Sequence, residues 1–207
     1  MEQHRDKYDC RTTIFYNSGK TIIIMHNQSF LNNYFANHWQ SSIEHYVYSG
    51  LSIIEKIPTE ARVLDVGCGT NSFKGLIKNL VGIDPARQEA DIITTIEDYK
   101  PTELFDIAFC FGSINFGNDR TILKQISSVV NCLKEKSTIY WRCNPGLYDH
   151  KDELCEKINF YPWTFERLNF YANFFGYTMQ NSVEDTDGKN IRLYCEWIKN
   201  YSPAMAL

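Results

Sequence analysis

The 207-residue sequence lacks the features of membrane-spanning, secreted and unspecifically nucleic-acid-binding proteins. No apolar run approaches the roughly 18 residues that a membrane-spanning helix needs, and Met1–Lys7 has mixed charge with no apolar stretch behind it, unlike a signal peptide. The seven cysteines include no C-x-x-C pair, so we expect reduced thiols rather than a disulfide framework or a zinc knuckle. A net charge of −4 argues against indiscriminate phosphate binding. These absences predict a cytoplasmic protein without a membrane segment, for which nucleic acid is an improbable partner.

The composition is that of a globular domain. Apolar residues make up 43% of the chain and charged residues 22%, which supports a full hydrophobic core. Aromatic residues reach 14%, which indicates bulky core packing or a flat-walled ligand pocket. We divide the chain into an N-terminal extension, residues 1–40, and a main domain, residues 41–207.

The N-terminal third has its own pattern. β-Branched and aromatic residues on both sides of a turn predict a β-hairpin over residues 12–25. An amphipathic helix is predicted from Ser41, which forms a possible capping box with Glu44, to the residue before Pro58.

After Pro58, short apolar strands alternate with helices, a pattern typical of a mostly parallel sheet. Helices are predicted near Ser72, over 122–133 and over 164–175, and an antiparallel hairpin over 177–198 closes the chain. The fold class is therefore α/β, a doubly wound, mostly parallel sheet with an antiparallel C-terminal hairpin. The five strands predicted before that hairpin are 63–66, 80–83, 91–94, 105–111 and 138–142.

The most informative segment is a glycine-rich turn at the end of the first of these strands, Val63–Asn71. Gly67 and Gly69 allow the backbone to come close to a ligand, and a helix N-terminus behind them would favour an anionic group. No Gly-Lys-Ser/Thr follows, which excludes a Walker loop. The next strand ends in Asp84, which is either a ribose ligand, as in doubly wound sheets, or a cap for the turn at Pro85.

With these residues the chain resembles the class I S-adenosylmethionine-dependent methyltransferases. The resemblance rests on L-D-V-G-C-G-T at 64–70, the acid-ended strand at Asp84, the segment Ile96-Glu97-Asp98 and the F-D-I-A-F strand at 105–109. It covers about residues 41–199. Two departures are Asn71, where the family usually has glycine, and a shorter first helix.

The resemblance implies S-adenosylmethionine as the cofactor. It implies Asp84 as the ribose ligand, Ile96 and Glu97 as neighbours of the adenine, and Gly67 and Gly69 as the loop facing the methionine part. The full set of implied cofactor-binding residues is Asp65, Gly67, Cys68, Gly69, Asp84, Pro85, Ile96, Glu97, Phe111, Gly112 and Ser113.

The substrate side is expected at the carboxyl ends of the fourth and fifth strands and in an aromatic lid from the N-terminal extension. Candidate substrate residues are Trp39, Asn115, Arg142, Asn144 and His150. Arg142 either holds a carboxylate or phosphate of the substrate or forms an internal ion pair. His150 is either a base oriented by the neighbouring aspartate or an exposed turn residue. The sequence identifies no catalytic residue and no oligomeric state.

The predicted function is methyl transfer from S-adenosylmethionine to a small molecule by alignment of donor and acceptor. No metal is expected, because no His, Cys and carboxylate cluster has ligand spacing. The N/D-P-P-Y motif of amino-methylating nucleic-acid enzymes is absent after the fourth strand. Two alternatives stay open: a methyltransferase-like protein that binds cofactor without turnover, and a nicotinamide-dependent oxidoreductase, which should carry a third glycine.

Overall fold

The computed structural model describes residues 12–17, 20–25, 28–39, 46–146, 154–186, 188 and 190–199. The boundary at 40/41, the capping box at Ser41 and the candidate base His150 lie outside these residues. The predicted N-terminal hairpin is confirmed, because β1 (Thr12–Asn17) pairs antiparallel with β2 (Lys20–Met25).

The main sheet has six strands in the order β4-β3-β5-β6-β8-β7. The first four in this order are parallel, and β8 and β7 add an antiparallel hairpin at one edge. The predicted fold class is thereby confirmed. The strands are β3 (Arg62–Val66), β4 (Asn79–Ile83), β5 (Phe105–Phe111), β6 (Leu133–Cys143), β7 (Thr178–Thr186) and β8 (Ile191–Ile198).

Two amphipathic helices cover one face of the sheet, as predicted. In α2 (Asp119–Asn131) the N-cap Asn118 accepts a hydrogen bond from the Thr121 amide at 3.1 Å. Thr164 caps α3 (Phe165–Phe174) in the same way, by accepting from the Arg167 amide at 3.2 Å. Their apolar residues form the larger core with the sheet, and it includes the fully buried tryptophans Trp141, Trp163 and Trp197.

Within the described residues, the opposite face of the sheet is covered without a regular α-helix. The helix predicted from 41 to 57 is wrong for its described part, which is a turn at 46–50 followed by a 3-10 helix, Leu51–Lys56. Val47 and Leu51, which would lie on the apolar face of the predicted helix, are exposed, whereas Ile53 is fully buried against the sheet. Ile53, with Ile54 and Ile57 beside it, packs against this face of the sheet, so a 3-10 helix covers it in place of the predicted α-helix.

The connections on either side of β4 are also irregular. Residues 67–78 and 84–104 are all described, and they contain turns but no α-helix. The helix predicted near Ser72 is therefore wrong, and with it the helix N-terminus behind the glycine loop. The strand predicted at 91–94 is reduced to a bridge between Ile83 and Ile92. Backbone hydrogen bonds join Asp91 and Ile92 to Gly82 and Asp84, and the Asp91 carboxylate accepts one more from the Gly82 amide.

Sequence reasoning did not identify the helix α1 (Gln28–Asn37). Its Leu31 and Tyr34 pack with Cys155 and Ile158 in a small separate core, and the Tyr34 hydroxyl lies 3.1 Å from the Cys155 sulfur. This places α1 over the carboxyl ends of the parallel strands. Within the described residues no helix has the length and apolar character to cross a membrane, and the six described cysteines form no disulfide.

Candidate functional site

A cavity of about 450 Å³ opens at the carboxyl ends of β3, β4, β5 and β6, beneath α1. Parallel register brings Val66 beside Ile83 and Phe111 beside Arg142, so the segments after these strands meet there. Asp65 and Cys68 are not part of its wall. The predicted residues that line it are Trp39, Gly67, Gly69, Asp84, Pro85, Ile96, Glu97, Phe111, Gly112, Ser113, Asn115, Arg142 and Asn144.

The loop after β3 needs its glycines for both conformation and space. Gly67 has φ +66° and Gly69 has φ +57°, in the left-handed region. A Cβ on Gly67 would overlap the Ser113 Cβ, and one on Gly69 would lie 2.9 Å from the Trp39 ring. Asn71 also adopts a left-handed conformation, φ +54°, which asparagine tolerates better than most residues. Asparagine at position 71, where the family usually has glycine, is therefore compatible with this loop conformation.

Asp84 ties this loop to the turn after β4. Its Oδ2 accepts a hydrogen bond from the Gly69 amide at 3.0 Å, and its Oδ1 accepts from the amides of Ala86 at 2.7 Å and Arg87 at 3.1 Å. The capping alternative is therefore realised. A carboxylate has about four acceptor positions, so three backbone donors leave room for one further donor. The ribose role stays a prediction.

Asp65 lies in β3, two residues before Gly67, and does not line the cavity. It is almost completely buried, and burial, with a smaller effect from the charge of Asp84, raises the pKa of its carboxyl to about 7, against the opposing effect of Arg142. Strongly shifted carboxyls next to a cavity are a common property of functional sites.

We expect Asp65→Asn to stabilise the protein at pH 8. An acid with a higher pKa in the folded state holds its proton more tightly there, so its contribution to stability falls as the pH rises from about 4 to about 7. Asparagine removes that charge, and the free energy of unfolding should rise by about 1–4 kcal/mol at pH 8 and change little at pH 4. Urea unfolding of both proteins at the two pH values measures this.

The matched control is Asp106→Asn. Burial raises the pKa of Asp106, but hydrogen bonds from Lys134 Nζ and the Arg62 amide lower it more, so the net shift is downward. Its replacement should therefore destabilise the protein at pH 8. If Asp65→Asn destabilises it in the same way, the Asp65 carboxylate is a structural group.

Ile96 and Glu97, in the segment that follows β4, also line the cavity. Gln125 of α2 is a further lining residue, and its Oε1 is buried without a hydrogen-bond partner among the described residues. The Ser113 Oγ, in the segment after β5, is also buried without a hydrogen-bond partner among the described residues. Native proteins rarely leave such groups unpaired, so these two are available to a ligand.

On the β6 side, Asn115 and Asn144 line the cavity but also hold its loops together. The Asn115 Oδ1 accepts from the Asn144 amide at 3.1 Å, and its Nδ2 donates to the Gly112 carbonyl at 3.0 Å. Arg142 lies beside them, with its guanidinium over the Tyr46 ring at 4.1 Å. No carboxylate among the described residues lies within 4 Å of Arg142, so the internal ion pair is not observed there.

Trp39 and Arg87 close the cavity at the glycine loop. The Arg87 guanidinium donates to the Trp39 carbonyl at 2.5 Å and lies 5.8 Å from the centre of its ring. Asp84 caps the turn at Arg87, and Trp39 lies against Gly69. Trp39, the glycine loop and the Asp84 carboxylate are therefore connected through direct contacts.

Sequence reasoning missed several residues of the wall. Arg87, Gln125 and Arg192 follow no motif, because only the tertiary fold brings them to the cavity. Phe35 could have been found, since the spacing of Leu31, Phe35 and His38 suits one helix face.

Neither a protein-family model nor a curated protein matches the sequence. Solved structures do match its fold. A Burkholderia thailandensis 1,6-didemethyltoxoflavin-N1-methyltransferase, with its substrate and S-adenosylhomocysteine bound, has TM-score 0.64 at 11% identity over 91% of this chain and 99% of its own. The magnesium protoporphyrin IX methyltransferase of Synechocystis PCC 6803, with S-adenosylmethionine bound, has TM-score 0.63 at 10% identity, with 83% and 96% covered.

A third similar structure is a possible histamine N-methyltransferase of Thermotoga maritima, with TM-score 0.55 at 17% identity over 83% of this chain and 92% of its own. The chain therefore has the class I S-adenosylmethionine-dependent methyltransferase fold. The resemblance inferred from the glycine loop is confirmed at that level, and the predicted cofactor agrees with the ligands bound in the first two neighbours.

The residues of the cavity fit this cofactor. Gly67 and Gly69 keep the loop free of side chains where a ligand would lie close to the backbone, Asp84 retains an acceptor position, and Ser113 and Gln125 carry unpaired polar atoms. Within the described residues no group of three His, Cys, Asp or Glu side chains is arranged to hold a metal ion.

Proposed function

We propose that the protein binds S-adenosylmethionine in this cavity and transfers its methyl group to a small molecule. The observation that carries the proposal is the pairing of Gly67 and Gly69 with Asp84 at the carboxyl edge of a class I methyltransferase fold. The proposed cofactor-binding residues are those of the sequence prediction that line the cavity, with Gln125 of α2 added. Asp65 and Cys68, which do not line it, stay predictions.

S-adenosylmethionine supplies an activated methyl group when bound, so the protein's task is alignment and exclusion of water. Gly67 and Gly69 let the backbone approach the ligand, and the ionised form of Asp65 would attract its ammonium group. The remaining acceptor position of Asp84 would take one ribose hydroxyl. Trp39 and α1 cover this end of the cavity and shield it from solvent.

The size of the cavity supports a small acceptor. Its volume lies within the range of small-molecule sites, about 300–1,000 Å³, and α1 with the aromatic contacts of Phe116 to Phe35 and Phe160 roofs it. The Burkholderia neighbour is a methyltransferase of 1,6-didemethyltoxoflavin, which is bound in its structure together with S-adenosylhomocysteine. A polynucleotide would have to displace this roof.

The test has two stages. First, melting temperatures are measured with S-adenosylmethionine, S-adenosylhomocysteine and NAD, and we expect the first two to raise them and NAD to leave them unchanged. Second, the protein is incubated with a metabolite extract and labelled methyl donor, with and without EDTA. Transfer of label to a low-mass product in both conditions is expected.

Each alternative gives a different result. Stabilisation by both methyl ligands with no labelled product would favour binding without turnover, and stabilisation by NAD alone would favour an oxidoreductase. Loss of transfer in EDTA would contradict the metal-free reaction. Glu184→Ala, which removes an exposed carboxylate of β7 outside the cavity, serves as the control and should behave as the unmodified protein.

A further inference from the structure

Arg142 is a half-buried cation that forms no ion pair with a carboxylate in the described part of the chain. Its guanidinium lies between the rings of Tyr46, at 4.1 Å, and Phe111, at 5.4 Å, and it forms part of the cavity wall. Burial lowers its pKa from the usual arginine value, although arginine remains charged. A charge that is partly removed from water in this way is stabilised by an anionic partner, because desolvation is costly.

The polar contacts of Arg142 are weak ones. Its Nη1 lies 3.3 Å from the Ser49 hydroxyl and 3.5 Å from the Ser49 carbonyl, and its Nη2 lies 3.3 Å from the Phe111 carbonyl. All three distances exceed those of a strong charge-assisted hydrogen bond, about 2.7–2.9 Å. The fork of the guanidinium is thus positioned by neutral groups, and an anion could displace them.

The nearest acids are engaged elsewhere. Asp185 is fully buried, and its carboxylate accepts hydrogen bonds from the amides of Val47, Tyr48 and Ser49 and from the Ser49 hydroxyl, at 2.7–3.2 Å. Asp65 is close enough to influence Arg142 electrostatically but forms no ion pair with it. Asp185 therefore fixes the turn that holds Ser49 against Arg142. It forms no ion pair with Arg142 and acts on it only through longer-range attraction, as Asp65 does.

We propose that Arg142 is a carboxylate-binding site and that the methyl acceptor is a small molecule carrying a carboxylate. This rests on the proposed function. Arg142 is on β6, two strands from the glycine loop after β3 and three from Asp84 after β4. At about 4.8 Å per strand it therefore lies roughly 10 Å from the glycine loop and roughly 14 Å from the proposed ribose ligand. That position suits the acceptor rather than the nucleoside.

The charge balance selects a carboxylate over a phosphate. A planar monoanion matches the fork of one guanidinium. The positive charges of Arg142 and of Arg192, which also lines the cavity, are offset by the nearby carboxyls of Asp65 and Asp185, so the site has too little net positive charge for a dianion. The rings of Tyr46 and Phe111 beside Arg142 also suit a flat, apolar body attached to the carboxylate.

The test uses benzoate and its neutral isostere benzamide as probes. Calorimetric titration into the protein saturated with S-adenosylhomocysteine should show benzoate binding at least tenfold more tightly than benzamide. Arg142→Met should remove this preference and leave the affinity for S-adenosylhomocysteine within about twofold. Arg142→Lys keeps the charge without the fork and should bind benzoate with intermediate affinity. Arg167→Met, an arginine stacked on Tyr161 outside this cavity, is the matched control.

Two results would overturn the inference. Equal binding of benzoate and benzamide to the unmodified protein would do so, and that measurement needs no variant. So would an Arg142→Met protein that loses affinity for S-adenosylhomocysteine but not for 5′-methylthioadenosine, since Arg142 would then hold the carboxylate of the cofactor. If benzoate binds through Arg142 but no methyl group is ever transferred, the carboxylate site stands and the proposed function fails.

Discussion

The Gly67→Ala protein should bind S-adenosylhomocysteine at least about 100-fold more weakly than the unmodified protein. Two effects combine at this position. Alanine is strained at φ +66°, by about 1–2 kcal/mol, and its Cβ would overlap the Ser113 Cβ. The loops after β3 and β5 must then move apart, which changes the surface that the cofactor would contact. Calorimetric titration with S-adenosylhomocysteine, together with a melting curve, measures both consequences.

Gly75→Ala separates conformational strain from contact. Gly75 has φ +81°, in the same loop region, but an added Cβ would have no neighbour within 4 Å. This variant should lose about 1 kcal/mol of stability and keep its ligand affinity. If the two variants bind equally well, the glycine loop does not contact the cofactor.

The Asp84→Ala protein should be both less stable and weaker in binding. Its carboxylate accepts three backbone hydrogen bonds, from Gly69, Ala86 and Arg87. Bonds to a charged group contribute about 1.5–3 kcal/mol each, and after partial solvation we expect a loss of about 3 kcal/mol in unfolding free energy. Affinity for S-adenosylhomocysteine per folded molecule should fall by about 10- to 100-fold, because one ribose hydroxyl loses its acceptor.

Asp84→Asn is the diagnostic variant. It keeps the shape of the side chain but loses the charge and one acceptor oxygen, so both quantities should lie between those of the unmodified protein and Asp84→Ala. If Asp84→Ala melts earlier but its folded fraction binds normally, Asp84 serves only to cap the turn, and the main support for the ribose site is lost.

The parallel core and its hairpin could be predicted because their patterns are local. β5 was located at its observed bounds, and α2 and α3 begin directly after the capping residues Asn118 and Thr164. Glycines at 67 and 69 and an acid at 84 likewise have local signatures, so these residues of the cavity wall were identified.

The remaining parts depend on contacts between distant residues. The segments 67–78 and 84–104 are held by hydrogen bonds such as that of the Asn71 Nδ2 to the Glu89 carbonyl, which no periodicity reveals. The sequence shows Arg142 as a polar residue in a strand but not that Asp185 is already engaged with the turn at 47–49. The choice between an ion pair and a ligand site therefore required the structure.

The irregular connections around β4 have a consequence for how this edge of the sheet opens. Without α-helices in 67–104, few backbone amides there are protected by regular ladders, and side chains such as Asp91, which accepts from the Gly82 amide at 2.8 Å, maintain the order instead. Local unfolding of this edge therefore competes directly with occupancy of the cavity. A bound nucleoside would slow amide hydrogen exchange along residues 67–98 and leave exchange in β6 to β8 unchanged. Any change that makes this edge of the sheet unfold more easily would therefore also weaken ligand binding.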